Sequence, residues 1–526
     1  MPSVMNLTNN SKDLRTVKFP ILFISNLFCA ALAISGTAQA DQDKVLRVQI
    51  GNSGEAPYRE HTSAEVLAAF NAAVLGQLIK TDENFNLFPG LLQKFEYDFK
   101  AKAYVLTLQP NLKFHNGRKV TSKDLEFSLL RGFFTKSNTF HTIYLNNIAG
   151  LDKIDAGRTK YTSGLVSGVK IIDELSVRVK LSHPNPSFLH SLTNPFFSLV
   201  PKEEMNSNFV SWKKIPVGAG PYRVLGKGFH EGKVNLELVD KGLEHATSKI
   251  EFYTSEAKGI HFDLVSSPSE NQKKQLEVKY TSKPIAVRAL FFNNKNELSR
   301  NQDFRNAIQY AIDRNEITSS LEGYDVVSEI LPRHFWGRSG NGMNENIDLA
   351  KKYVSRIPKK LTEKFWEAGI FAGPKLSHKH KTIVRYLERQ FARAGLKIKF
   401  VPTSEKFQSL ESAKKFVFRV EGRIADYVDP LIMFASFREG SAFKYGYPIG
   451  DRKVRFDKLY SKAEDAEDFN RRIESVRELS KFVQKESIAI ALGEERFAVG
   501  IDPKRIKSIG QQPQPLAIFL QNIELN

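Results

Sequence analysis

Short apolar segments typical of strands alternate with amphipathic segments typical of helices along most of this chain. ALFFNN (289–294) is typical of a buried strand, and NQDFRNAIQYAIDRNEI (301–317) places its apolar residues on one helical face, with Asp303 predicted to cap the helix. KTIVRYLERQFARAGLKIKFV (381–401) runs in the order helix, glycine stop, strand. Because alternating strands and helices pack in layers, this order predicts an α/β or α+β fold.

The length of the chain predicts more than one domain. Its 526 residues are too many for a single hydrophobic core, and two or three domains are expected. Apolar residues make up 41% and charged residues 26%, as in an ordinary globular protein.

The first forty residues have the layout of a secretory signal peptide. Lys12, Arg15 and Lys18 precede an apolar stretch (19–34), and Ala38-Gln39-Ala40 offers a small-residue cleavage site. The apolar stretch is short for a membrane span. We therefore predict a signal peptide at 1–40 and a mature chain that starts at Asp41, is soluble, and is exported to a Gram-negative-type periplasm.

The single cysteine, Cys29, lies inside that apolar stretch. Lipidation is not expected there, because Phe28 stands where a lipoprotein signal needs a small residue and Asn26 where it needs an apolar one. The predicted mature chain has no cysteine, so disulfides and thiolate nucleophiles are excluded.

The formal charge is +19, and removal of residues 1–40 leaves +17 because they carry three positive charges and one negative charge. Such a charge attracts anionic ligands or envelope polymers. The lysines and arginines are spread along the chain, and no nucleic-acid-binding signature is present, so a nucleic-acid partner is not expected.

Motifs for metal binding or catalysis are weak. His378-Lys379-His380 is the one close histidine pair, but it has no acidic or cysteine residue at metal spacing. No G-x-S-x-G nucleophile motif occurs. We expect no metal, no cofactor and no enzymatic activity, although two distant carboxylates can meet in a fold.

Two aspartates follow a predicted strand, KFVFRVEGRI (415–424). Asp429 directly precedes Pro430 and an apolar run, which predicts a helix N-cap. Asp426 has no such local explanation. A carboxylate at a strand end beside Tyr427 suits a cationic group in a cleft, and the alternative is an Asx-turn.

Five stretches, in order, resemble motifs of the family 5 extracellular solute-binding proteins, which are receptors of dipeptide and oligopeptide ABC transporters. They are LKFHNGRKVTSKDLEFSLLR (112–131), VGAGPYRV (217–224), FDLVSSPSE (262–270), FFNNKNELSRNQDFRNAIQYAIDRNEI (291–317) and GRIADYVDPLIMF (422–434). The third resembles the segment where the family's chain crosses between domains. The resemblance spans essentially the whole predicted mature chain.

The resemblance implies a two-lobed periplasmic-binding-protein fold with an extra inserted domain and a ligand cleft between lobes that close on a hinge. The predicted division is a signal peptide (1–40), a discontinuous lobe I (41–70, 166–265 and 487–526), the inserted domain (71–165) and lobe II (266–486).

The resemblance also implies site residues. In peptide-binding members, the aspartate that matches Asp426 pairs with the ligand's α-ammonium, and the strand before it, here Gly422, Arg423 and Ile424, offers backbone groups to the peptide. Tyr427 is placed beside them. Arg423 stands where tryptophan is usual in the family, so an acidic ligand stays open as an alternative. The family's early LDP motif is absent from GEAPYREHTSAEV (54–66).

The implied function is a monomeric periplasmic receptor that captures di- or oligopeptides and delivers them to an inner-membrane ABC permease. Two alternatives stay open. One is the same fold with a non-peptide ligand, such as haem, a metal chelate, an oligosaccharide, an opine-like compound or an anionic solute. The other is an envelope chaperone or structural protein.

Overall fold

The structure is a computed structural model. It describes residues 45–59, 63–82, 84–136, 141, 144–185, 187–240, 242–280, 283–284, 286–372, 376–403, 415–425, 427, 429–438, 448–466, 468–512 and 517–526. The predicted signal peptide and its cleavage site lie outside the described residues.

The described strands, numbered along the chain, have the following bounds: β1 (Val45–Gln49), β2 (Ile79–Thr81), β3 (Leu87–Pro89), β4 (Leu92–Asp98), β5 (Ala103–Leu108), β6 (Val169–Ile171), β7 (Ser176–Val179), β8 (Tyr222–Val224), β9 (Lys233–Leu238), β10 (Lys249–Tyr253), β11 (Leu264–Ser266), β12 (Glu277–Tyr280), β13 (Ala286–Phe292), β14 (Tyr324–Asp325), β15 (Trp366–Phe371), β16 (Ile398–Thr403), β17 (Phe416–Ile424), β18 (Ala489–Glu495), β19 (Ala498–Ile501), β20 (Ile506–Ser508) and β21 (Glu524–Leu525).

The described α-helices have the following bounds: α1 (Ala64–Val74), α2 (Ser122–Leu130), α3 (Phe188–Ser191), α4 (Glu297–Arg300), α5 (Gln302–Ala311), α6 (Arg314–Ser319), α7 (Ile347–Val354), α8 (Lys359–Thr362), α9 (His378–Arg393), α10 (Pro430–Ala435), α11 (Asp451–Glu464) and α12 (Phe469–Lys485).

Two large mixed sheets carry the fold, and the predicted α/β class is confirmed. The seven-stranded sheet has the order β12-β19-β11-β1-β10-β9-β8, with β1 parallel to β11. The six-stranded sheet has the order β14-β18-β13-β17-β15-β16, with β15 parallel to both β16 and β17. Buried β13, apolar along its length except for Arg288, lies near the centre of the second sheet.

The chain passes between these sheets twice, from β12 to β13 and from β18 to β19. The first passage spans residues 281–285. Segment 262–270, which resembles the family's crossing segment, instead contributes β11 to the seven-stranded sheet. The chain adds a further strand, β12, to the same sheet before it leaves, and the place where the lobes divide stays a prediction.

A four-stranded antiparallel sheet has the order β4-β5-β7-β6. Strands β6 and β7 form a hairpin around Asp173-Glu174. They pair with strands from the predicted inserted domain (71–165), although they lie beyond its predicted end. The division of the chain into lobes stays a prediction.

Helix starts follow local capping chemistry. Thr121 precedes α2 and donates its amide to the Asp124 carboxylate at 2.9 Å, which forms a capping box. The predicted helix 301–317 is instead two helices, α5 and α6. Asn301, not Asp303, caps α5, while Asp313 caps α6 by accepting from the Glu316 amide at 3.1 Å. Residues 451–485 also contain two helices, α11 and α12.

Two of the family-like stretches meet in space. The His115 amide donates to the Gly218 carbonyl at 2.8 Å, and His115 Nε2 lies 2.9 Å from the Gly220 carbonyl oxygen. A Cβ at Gly218 would overlap the carbonyl oxygen of Val74. The VGAGPYRV stretch therefore needs glycine for close backbone packing against the end of α1.

Among the described residues, no helix is both long and apolar enough to cross a membrane.

Candidate functional site

The end of β17 is paired on only one side among the described strands. On one side, all of β13 pairs with β17, with Arg288 opposite Gly422 and Ala286 opposite Ile424. On the other side, the ladder with β15 ends at Val420. From Glu421 onward, that side of the strand has backbone groups with no described strand beside them. Such an edge suits an extended ligand that adds as a further strand.

Gly422 is exposed on this edge, and the guanidinium of Arg288 lies beneath it. A Cβ at Gly422 would sit 3.6 Å from the Arg288 guanidinium carbon. Arg288 itself is buried. The absence of a side chain at Gly422 therefore brings a buried cation close to the edge.

An ionic network surrounds Arg288. Its Nη2 donates to the Glu495 carboxylate at 2.9 Å, and Tyr324 donates its hydroxyl to the same carboxylate at 2.7 Å. Lys379 also pairs with Glu495. Burial alone would raise the pKa of Glu495, but Arg288 and Lys379 lower it to about 2. The carboxylate is therefore ionised at neutral pH, shared between two cations.

His380 adds a neutral polar group beside the network. Burial, together with the charges of Arg288 and Lys379, lowers its pKa to about 4. Because burial also lowers the pKa of Lys379, the environment disfavours extra positive charge.

Arg423 points away from the open edge. Its Nη2 donates to the Ile432 carbonyl of α10 at 3.1 Å, and burial lowers the pKa of Arg423 to about 10. On the same strand, Arg419 pairs with Glu421 at 2.6 Å, and burial raises the pKa of Glu421. Arg423 thus has an internal partner and does not project like a free cation toward a ligand.

The two remaining described site residues pack against the apolar core. Ile424 is half-buried against it, and the Tyr427 ring meets the Tyr144 ring edge-on at 5.5 Å. Asp426, the predicted ammonium partner, lies outside the described residues. Four of the five predicted residues therefore come together here, and the role of each stays a prediction.

Asp429 is the N-cap that its position before Pro430 predicts. Its carboxylate accepts from the Leu431 amide at 2.9 Å, and α10 begins at Pro430. The structure adds a partner that the sequence did not suggest, because Arg472 donates to the other carboxylate oxygen at 2.7 Å.

Sequence reasoning missed Arg288, Tyr324, Lys379 and Glu495. The one available signal was a lone charge in an apolar strand, since Arg288 interrupts AVRALFF. Tyr324 and Glu495 come from distant parts of the chain, and only the pairing of β13, β14 and β18 brings them together.

Among the described residues, one group could hold a metal ion: His261, Asp263 and Asp502. Its members already have protein partners. Asp263 accepts from the Arg47 amide at 2.8 Å and pairs with Arg505 at 3.1 Å, while His261 lies 2.7 Å from Asp502.

The model of the bacterial extracellular solute-binding proteins, family 5 (Middle), matches residues 86–237 and 254–445. The dipeptide-binding protein DppE of Bacillus subtilis is 21% identical over 76% of this chain and 77% of its own length. The dipeptide-binding protein of Escherichia coli is 21% identical over 82% of this chain and 84% of its own.

Solved structures share the fold. Haemophilus influenzae OppA in complex with RPPGFSPFR has a TM-score of 0.70 at 18% identity, covering 92% of this chain and 99% of that one. The ABC transporter substrate-binding protein CtaP of Listeria monocytogenes has a TM-score of 0.75 at 18% identity, covering 91% of this chain and 99% of its own. Since the family match covers well over half of its residues, this chain belongs to the bacterial extracellular solute-binding proteins of family 5.

Proposed function

We propose that this protein captures peptides at the open edge of β17 and delivers them to an ABC importer. The observation that carries the proposal is the edge itself, where residues 421–424 are paired with β13 on one side alone among the described strands. Hydrogen bonds to a backbone edge are indifferent to side-chain identity, which suits a receptor for varied peptides. The relatives named as dipeptide-binding proteins support this ligand class.

Asp426 is the proposed partner of the peptide's α-ammonium, because it follows the open edge by two residues. One fixed charge at the end of a strand sets the register of a ligand that is otherwise held by its backbone. In an enclosed cleft, truncation of such a partner costs roughly 2–5 kcal/mol. Asp426→Asn is therefore expected to weaken peptide binding at least about tenfold.

The proposed lobes follow the two large sheets, with the passages from β12 to β13 and from β18 to β19 as the hinge. Arg496 anchors the second passage, since its Nη2 lies 2.7 Å from the Asp325 carboxylate. The four-stranded sheet would then form the inserted domain. Binding between lobes, without catalysis, is the proposed mode, and the protein is proposed to act as a monomer.

A second candidate is an anionic ligand at the same edge. The observation that favours it is the pair of cations, Arg288 and Lys379, that share the single carboxylate of Glu495. A ligand carboxylate near Gly422 would add a second anion to this pair.

Native mass spectrometry of the purified protein with a peptide mixture tests the proposal. Peptide adducts that are recovered intact support a peptide receptor and exclude hydrolysis. Loss of binding when the peptide amino terminus is acetylated supports pairing with Asp426. A single non-peptide anionic adduct would favour the second candidate, and no adduct of any kind would contradict both.

A further inference from the structure

An exposed aromatic side chain lies among lysines at the start of β15. Phe365 is 75% exposed, and Lys397 Nζ lies 5.9 Å from the centre of its ring. The two residues that flank Phe365 in the sequence also contact each other, because Lys364 Nζ lies 3.7 Å from the centre of the Trp366 ring. The Trp366 amide donates to the Lys397 carbonyl at 2.9 Å, so the two lysine-bearing segments are joined directly.

The same region has an excess of positive charge. Lys359 and Lys360 on α8, Lys364 in the following loop, and Lys397 and Lys399 at the start of β16 are all exposed. Lys360 lies 3.7 Å from Glu297, and no other lysine of this group is within 4 Å of an acidic group among the described residues. We call Lys359, Lys360, Lys364, Phe365, Lys397 and Lys399 the basic–aromatic surface.

Protection of a sheet edge explains only part of this surface. Strand β16 is the edge strand of the six-stranded sheet, and lysines on edge strands discourage pairing with other chains. That accounts for Lys399. It does not account for the lysines on α8 and in the loop, or for the exposed phenyl ring of Phe365.

Lysines around an exposed aromatic ring match the chemistry of an anionic bilayer. Each lysine near the surface is attracted by negatively charged headgroups, and an aromatic ring favours the headgroup level of the interface. We propose that the basic–aromatic surface docks on the anionic phospholipid surface of a bilayer.

The location of this surface leaves the candidate ligand site free. Strands β15 and β17 are parallel, with Gly369 opposite Arg419. The basic–aromatic surface lies where β15 starts, whereas Gly422 lies where β17 ends. The two sites are therefore at opposite ends of the same sheet, and lipid docking does not compete with ligand for the open edge.

Co-sedimentation with lipid vesicles tests the proposal. The purified protein is expected to sediment with phosphatidylglycerol-containing vesicles at low salt and to stay in solution with pure phosphatidylcholine vesicles. Because the contact is electrostatic, high salt should release it. The combined variant Lys359→Gln, Lys364→Gln, Lys397→Gln should bind at least about tenfold more weakly, since each lost cation removes severalfold of the affinity. Phe365→Ala alone should bind severalfold more weakly.

The β4–β5 hairpin provides a matched control. Phe99 is 84% exposed there, and Lys94, Lys100 and Lys102 are exposed nearby. Acidic groups offset the positive charge of the hairpin, since Lys94 lies 2.9 Å from Glu96 and Arg178 lies 3.9 Å from Asp98. The variant Lys94→Gln, Lys100→Gln, Lys102→Gln removes the same number of lysines and should therefore bind vesicles like the wild type. All variants keep the same N-terminus, so any effect of the predicted signal peptide cancels.

Three results would overturn the proposal. They are no sedimentation of the wild type with anionic vesicles, equal binding by the Lys359, Lys364 and Lys397 variant, and an equal loss in the hairpin control, which would indicate general basicity. Circular dichroism and thermal unfolding establish that each variant is folded, which the exposure of the substituted side chains leads us to expect.

Discussion

Arg472 of α12 donates to the carboxylate of Asp429 at 2.7 Å, 43 residues earlier in the chain, and both side chains are buried. The same carboxylate caps α10. The pair therefore joins the start of α10 to α12, and α10 follows the strand that carries the candidate ligand edge.

Asp429→Ala is expected to lower the free energy of unfolding by roughly 3–5 kcal/mol, because it leaves the Arg472 guanidinium buried without its partner. Urea denaturation measures the loss. The matched control is Asp468→Ala, which removes an exposed cap from α12, where Asp468 accepts from the Arg471 amide at 2.9 Å. That change should cost only about 1 kcal/mol. Equal losses in the two variants would show that the buried ion pair adds nothing.

Glu495 should contribute stability that disappears in acid. Its folded pKa is lowered to about 2, so its ionised form stabilises the folded protein above the unfolded pKa of about 4.3. That contribution is lost as the pH falls toward 2. Glu495→Gln is expected to be less stable than wild type at pH 7 by roughly 3 kcal/mol, with the difference shrinking between about pH 4.5 and 2.

Urea denaturation across this pH range checks the expectation. Glu322→Gln serves as the control, since Glu322 is exposed and lies 4.0 Å from Lys273. Its stability difference from wild type should stay near zero at every pH. A pH-independent difference for Glu495→Gln would contradict the assignment of a depressed pKa.

Gly422→Val should weaken ligand binding while leaving the fold intact. A Cβ at this position makes an ordinary contact with Arg288, and valine favours strands, so stability should change by less than about 1 kcal/mol. The branched side chain would cover the cation and crowd the open edge, so peptide affinity is expected to fall about tenfold or more.

Calorimetric titration with a peptide identified by mass spectrometry measures the Gly422→Val effect. Gly342→Val is the control, because Gly342 is exposed with nothing within 4 Å of its Cβ position. Wild-type affinity in Gly422→Val would place the ligand somewhere other than this edge.

Gly218→Ala should destabilise the fold without any involvement of ligand. The added methyl group overlaps the backbone carbonyl of Val74, which cannot move aside without distorting the end of α1. A loss of about 1–3 kcal/mol is expected in urea denaturation. Gly342→Ala, with open space around it, should differ little from wild type, and a neutral Gly218→Ala would mean that this close approach relaxes freely.

The elements that sequence reasoning identified best are those with local signals. The cap at Asp429 and the stop at Gly395 both follow from residues close in sequence to the helix end that they define. The single helix predicted over 301–317 failed because apolar spacing continues through Ile312, whose backbone is extended and ends α5. The spacing of apolar residues does not reveal that a single residue has left the helical conformation.

Only those candidate site residues that lie close together in the sequence could be predicted. Gly422, Ile424 and Tyr427 lie in one short stretch, so a motif contains them. Arg288 and Glu495 enter through the pairing of β13 with β17 and β18, across more than a hundred residues. Such pairings depend on which strands become neighbours, and no local pattern in one sequence reports that.

The strand order also determines when this protein can complete its fold. Strand β18 lies between β14 and β13, and β19 lies between β12 and β11, so both large sheets have an interior strand from residues 489–501. Neither sheet can assemble fully on a growing chain until those last strands have been synthesised. A chain that ended before residue 489 would therefore lack both the strand that joins β14 to β13 and the strand that joins β12 to β11.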